Sequence, residues 1–136
     1  MSDPSLELQA AIIGVLKNDP GVQAVVGQRI YDEVPPNPTF PYVSLGDNQV
    51  IPDSPPPECI DGCEVFWQID GWARDPTFPM TKQISKAVVK ALDDIDLQVS
   101  GYDCVVCMLQ TANYLHDPDG ITRHVAMTFY FLIQAL

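Results

Sequence analysis

The sequence predicts an α+β domain: a mostly antiparallel sheet of about four to five strands, with two main helices packed on one face. Three observations carry that expectation. Apolar residues recur at helical spacing near the start of the chain and again between Met80 and Leu92. The segment from Glu64 to Ala73 alternates as a strand does. Near the end, two long apolar runs flank a turn sequence. The resulting order is helix, two strands, long loop, strand, helix and hairpin, so strands dominate. Neither an internal repeat nor a domain boundary interrupts the 136 residues, which are expected to form a single domain.

Asp3-Pro4 predicts the first helix opening, with Asp3 as N-cap and Pro4 at the first helical position. Leu8, Ala11, Ile12, Val15 and Leu16 then form its apolar stripe, and Asn18-Asp19-Pro20-Gly21 ends it. A short turn or helix follows from Val22 to Val26. Arg29-Ile30-Tyr31 and Pro41-Tyr42-Val43-Ser44-Leu45 read as strands. Between Asn48 and Gly62 the composition is that of a loop, with Pro52, Pro55, Pro56 and Pro57 opposing regular pairing. A Pro-rich loop spanning 49–62 is long for a small domain, which points to function or mobility.

In the third strand Val65, Trp67, Ile69 and Gly71 share one face; Glu64, Phe66, Gln68, Asp70 and Trp72 share the other. Asp75-Pro76 ends it. Met80, Ile84, Ala87, Val88, Ala91 and Leu92 line one side of the second main helix, and Lys82, Gln83, Lys86 and Lys90 its solvated side. The runs from Tyr102 to Tyr114 and from Arg123 to Ile133 predict a hairpin. Its turn is Asp117-Pro118-Asp119-Gly120, with Gly at the left-handed position. Both runs carry apolar side chains on both faces. One face covers a helix, and the other calls for a second partner such as another subunit.

Composition removes several function classes. Apolar residues make up 46% and charged residues 18%, which is unlike a disordered chain. The 13 prolines are concentrated between Pro35 and Pro57, so they mark one irregular region. Formal net charge is −11, with seven Lys plus Arg against eighteen Asp plus Glu. Binding to nucleic acid draws on clustered cations, and none are clustered here for that purpose. An acidic wall nonetheless lets DNA pass without holding it. Anionic membrane surfaces are disfavoured for the same reason. No apolar run approaches the ~20 residues of a membrane span. The first residues lack the basic and apolar regions of a signal peptide, so a reducing cytoplasm is the expected site of synthesis.

Catalytic and metal chemistry find little support. His116 and His124 have no motif partner. His116-Asp117-Pro118-Asp119-Gly120 lacks the downstream acids of a calcium loop. Asp93-Asp94-Ile95-Asp96 reads as a solvated acidic helix end. Cys59, Cys63, Cys104 and Cys107 suggest a zinc site, yet Cys104 and Cys107 fall in a strand, where i and i+3 point to opposite faces. Two small apolar residues in a strand is the reading preferred, with a zinc-stabilised domain as the alternative. No cofactor, no metal and no catalytic residue is therefore expected. Five residues are candidates for subunit or partner contacts. Trp67 and Trp72 lie on opposite faces of one strand, although a core role serves as well. Arg29, Arg74 and Arg123 are scarce cations beside strand ends, placed for a neighbour's carboxylates or for an ion pair within the chain.

Several segments resemble a known family when taken in order. They are Leu6-Glu7-Leu8-Gln9-Ala10-Ala11-Ile12, Val26-Gly27-Gln28-Arg29-Ile30-Tyr31-Asp32, Phe40-Pro41-Tyr42-Val43-Ser44-Leu45-Gly46, Ile69-Asp70-Gly71-Trp72-Ala73-Arg74, and Leu115-His116-Asp117-Pro118-Asp119-Gly120-Ile121-Thr122-Arg123-His124. The set resembles the tail completion, or tail terminator, proteins of long-tailed phages, prophages and gene transfer agents. It covers nearly the whole chain and is weakest from Gln49 to Cys63. The resemblance implies a non-enzymatic α+β subunit that forms a ring, typically hexameric, on the last ring of the tail tube. Its implied partners are further copies of itself, the major tail tube protein and the head-closure connector, with DNA passing through. The implied place is the head-proximal end of the tail in the virion, after assembly in the bacterial host cytoplasm. Another head-tail connector component or a minor tail protein is the nearest alternative.

Overall fold

Alternation and helical periodicity fix most elements, and the computed structural model, which describes residues 3–52, 62–75 and 77–136, arranges them around one sheet. Three helices and six strands follow in the order α1 (Ser5–Asn18), α2 (Pro20–Val26), β1 (Ile30–Tyr31), β2 (Tyr42–Pro52), β3 (Gly62–Arg74), α3 (Pro79–Leu92), β4 (Gln98–Val99), β5 (Tyr102–His116) and β6 (Thr122–Ala135). The strand order across the sheet is β1-β2-β3-β6-β5-β4. All neighbours are antiparallel except β1 and β2, which pair in parallel through Ile30–Val43 and Tyr31–Ser44.

This corrects the expected architecture. The sheet is mixed and has six strands rather than four or five, and three helices accompany it rather than two main ones. The strand that escaped is β4, two residues long and too short for periodicity to register; β1 falls where Arg29-Ile30-Tyr31 was expected, but its parallel pairing makes the sheet mixed. The sheet is also curled into a half-barrel, for α1 touches both β1 near one edge and β4 at the other. The helices fill the concave side.

The helix boundaries have local causes. Pro4 occupies the N-cap position of α1, one residue later than expected, and Asp3 Oδ1 accepts from Ser5 N at 2.8 Å. Leu8, Ile12 and Leu16 are fully buried one turn apart. The stop signal is equally a start signal: Asp19 caps α2 by accepting from Val22 N at 3.0 Å, and Pro20 takes the first turn. In α3, Ile84, Val88, Ala91 and Leu92 are buried as the stripe predicts, joined by Thr81 and Ser85, while Lys82, Gln83, Lys86 and Lys90 face solvent.

Helix α3 seats against the middle of the sheet at Gly71. A Cβ there would lie 2.6 Å from Ile84 Cγ2 and 2.9 Å from Val125 Cγ1, so only glycine permits the approach. Around this seat Val65, Trp67 and Ile69 of β3 join Val125, Met127, Phe129, Phe131 and Ile133 of β6 in the core.

Two local expectations change. β2 does not end near Leu45. A bulge between Leu45 and Asn48 lets it continue, pairing Asn48 with Trp67 and Pro52 with Cys63. Pro52 is tolerated because it ends the strand, beyond the stretch of β2 that β1 covers. The 49–62 loop thus loses its first residues to β2 and its last to β3, and 53–61, including Cys59, lies outside the described residues. The second change concerns Cys104 and Cys107. They lie in a strand, but a bulge between Cys104 and Val106 resets the alternation, so both are buried instead of facing opposite ways.

Candidate functional site

The convex face of the sheet has no helix over it among the described residues, and its side chains form an aromatic row. Register places Tyr42 of β2 beside Trp72 of β3, and Trp72 beside His124 of β6. The Trp72 and His124 rings stack at 3.8 Å with 7° between planes; Tyr42 stacks on the other side of Trp72 at 6.3 Å. Phe40 and Tyr31 extend the row from Tyr42 at 5.0 and 5.9 Å. Such a continuous run of rings is stabilised by offset stacking and by the area it covers.

A polar set locks the row from beneath. Asp70, nearly buried, has Oδ1 2.7 Å from His124 Nε2 and 2.9 Å from Gln68 Nε2. Trp72 Nε1 donates to Ser44 Oγ at 3.0 Å. Gly46 keeps this set clear, because a Cβ there would sit 2.8 Å from Asp70 Oδ2. Asp70 and Ser44 were not singled out from the sequence. The alternation put Asp70 on this face, but its partner lies 54 residues away and depends on the β3–β6 register.

Four of the five candidate contact residues gather at this end of the sheet. Arg29, half-buried, donates from Nε to Pro41 O at 2.8 Å and so braces the β1–β2 connection. Arg74 is exposed, and its guanidinium lies 4.5 Å over the Phe40 ring. Arg123 lies 5.3 Å over the Phe78 ring, with Lys82 near the rings of Phe78 and Tyr114. Cations over aromatic faces in this way gain about 0.5–1 kcal/mol at exposed positions. Trp72 belongs to the aromatic row. Trp67 does not join them: it is 2% exposed, on the helix-covered face. His116 packs on Phe78 at 5.6 Å at the same end, beside the hairpin turn.

The turn itself forms as its residues predict, with Gly120 at φ 77. Asp119 Oδ1 accepts from Ile121 N and Thr122 N. The Thr122 hydroxyl, then the backbone bonds, hold the exposed Asp119 carboxyl below its ordinary value. The acidic string after α3 is more than a solvated end. Asp93 Oδ1 accepts from Leu109 N at 2.8 Å, and Asp94 N donates to Cys107 O at 2.7 Å, so it tacks the helix end onto β5.

The four-cysteine zinc reading includes Cys59, which lies outside the described residues. Among the described residues no three of His, Cys, Asp and Glu are placed to hold an ion. Cys107 Sγ instead donates to Leu92 O at 3.0 Å and Cys104 Sγ to Val106 O at 3.3 Å. Burial, reinforced by Asp103 and Asp96, pushes the Cys104 thiol to about 11. Burial first, then Cys104 and the Asp93 and Asp94 carboxylates, push Cys107 to about 12. Both are protonated, unreactive thiols at neutral pH.

Two solved structures share this architecture. A chain in a structure described as the virion of a native gene transfer agent particle is 27% identical, with a TM-score of 0.88, over 99% of this chain and 100% of that one. The gp17 protein of bacteriophage SPP1 is 25% identical, with a TM-score of 0.63, over 93% of this chain and 88% of that one. No curated protein matches. The fold and its ordered likeness are those of a structural tail-completion protein. Residues 10–134 match the family model described as Tail completion protein gp17, and the chain belongs to that family.

Proposed function

We propose that the protein is a non-enzymatic ring subunit that closes the head-proximal end of a phage-type tail and joins it to the head connector. The observation that carries this reading is the match to the tail completion family over residues 10–134, together with full-length likeness to a chain of a gene transfer agent particle. Its place is therefore the virion, and its partners are copies of itself, the tail tube protein and the head-closure protein. A hexamer is the ring size the reading favours. The net charge of −11 suits a ring through which DNA moves without being held. The uncovered aromatic row, with Trp72, Arg29, Arg74 and Arg123 around it, offers a surface to a partner. Trp and Arg at such positions commonly dominate contact energies. Trp67 acts from the core instead.

Deleting the gene from its producing phage or particle and imaging the products tests the reading. Tails of aberrant length, or heads and tails left unjoined, are expected. Normal particles would overturn it.

A further inference from the structure

Two strand edges remain open among the described residues, at diagonally opposite corners of the sheet. On one side, β4 covers β5 only at Tyr102 and Asp103. Asp93 and Asp94 take the outward groups at Leu109 and Cys107. From 110 to 116, β5 has no further backbone partner on its outer side among the described residues. On the other side, β1 covers β2 only at Val43 and Ser44, which leaves 46–52 uncovered.

The β5 edge lacks the usual guards against strand addition. Such edges normally carry Lys, other charges or Pro, whereas the run 104–115 contains no charged residue, no histidine and no proline. Among the described residues, four of the seven exposed large hydrophobics, Val105, Met108, Tyr114 and Leu115, lie on β5. Both of its bulges fall before Thr111, leaving 111–116 regular.

We propose that residues 111–116 of β5 pair with residues 46–52 of β2 in a second copy of this chain. Charge argues for that occupant. Two copies of net charge −11 repel, and these two edges add little to that repulsion, since 111–116 carries no Asp or Glu and Asp47 is the single charged residue in 46–52. Polarity agrees. The three antiparallel pairings β2–β3, β3–β6 and β6–β5 make β2 and β5 run in opposite senses, so copies in one orientation join antiparallel. The contact uses different surfaces on the two copies, as a closed ring requires. Its diagonal offset supplies the stagger that closure of a sheet needs. This inference deepens the ring reading above and rests on it.

The test places a benzophenone photocrosslinker at Asn113, an exposed β5 residue, in particles that carry this chain. Cross-links to residues 46–52 of a second copy are expected. Cross-links to β5 of a second copy would mean symmetric pairing and overturn the proposal, as would cross-links to a different protein; either leaves the tail role intact. Absence of the chain from purified particles would overturn both. A second variant, Thr111→Lys with Asn113→Lys, adds charge to the open edge. Its incorporation is expected to fall at least about tenfold, the factor set by roughly 1.4 kcal/mol, with the thermal midpoint unchanged. Undiminished incorporation would overturn the pairing.

Discussion

Gly71→Ala puts the packing of the domain to a direct test. The added methyl would meet Ile84 Cγ2 at 2.6 Å and Val125 Cγ1 at 2.9 Å, both closer than real Cβ contacts. Neither neighbour can yield easily, because Ile84 and Val125 are buried in a close-packed core. Overpacking typically costs about 1–3 kcal/mol, and two simultaneous clashes place this site near about 2–3 kcal/mol. With an unfolding entropy of roughly 0.3 kcal/mol/K for a chain of this length, the midpoint should fall by about 7–10 °C. Ile84→Ala alone should cost about 2–5 kcal/mol by leaving a cavity. The double variant should cost less than the sum, by at least about 1 kcal/mol, since the new methyl occupies part of that cavity. Thermal and urea melts of the four proteins provide the cycle. An unchanged midpoint for Gly71→Ala, or strictly additive costs, would refute the seating of α3 on β3.

Trp67→Ala should cost about 3–5 kcal/mol, as for a core Trp, whereas Arg74→Ala should stay within about 1 kcal/mol; urea melts of both separate a core residue from a surface one. Asp70→Ala leaves His124 and Gln68 without their acceptor and should destabilise by about 1–3 kcal/mol, with a shift of the Trp72 fluorescence as its stacked partner loosens. Cys104 and Cys107 should resist alkylation at pH 8 until denaturant is added. Their folded thiol values, about 11 and about 12, lie above the ordinary 9.0. The stability they contribute is therefore present below pH 9 and lost as pH rises through the folded values. A melt series across that alkaline range checks the sign, and rising stability there would contradict it.

The legible part of the fold was the local part. Helix α3 and strand β3 announce themselves because one buried face imposes its period on fourteen and thirteen residues respectively. The β5–β6 hairpin is equally legible, because Asp119 and Gly120 encode the turn that sets its register. β2 beyond Leu45 was hidden by Asn48, Gln49 and Pro52, loop-like residues held in a strand by pairing with β3. The faces of Cys104 and Cys107 were misread because one extra residue in a bulge shifts the alternation, and nothing local marks that insertion. Of the candidate contact residues, Arg29, Trp72, Arg74 and Arg123 fall at one end of the sheet, but the Asp70–His124 pair that organises it is non-local. The open edges could be seen only once the strand order was known.

The measurement that bears most directly on the central reading is the position of this chain in an intact particle. A gold label on a tagged copy, imaged by electron microscopy, should fall at the joint between head and tail. Label spread along the tail, or confined to its far tip, would contradict a subunit that completes the tail where it meets the head.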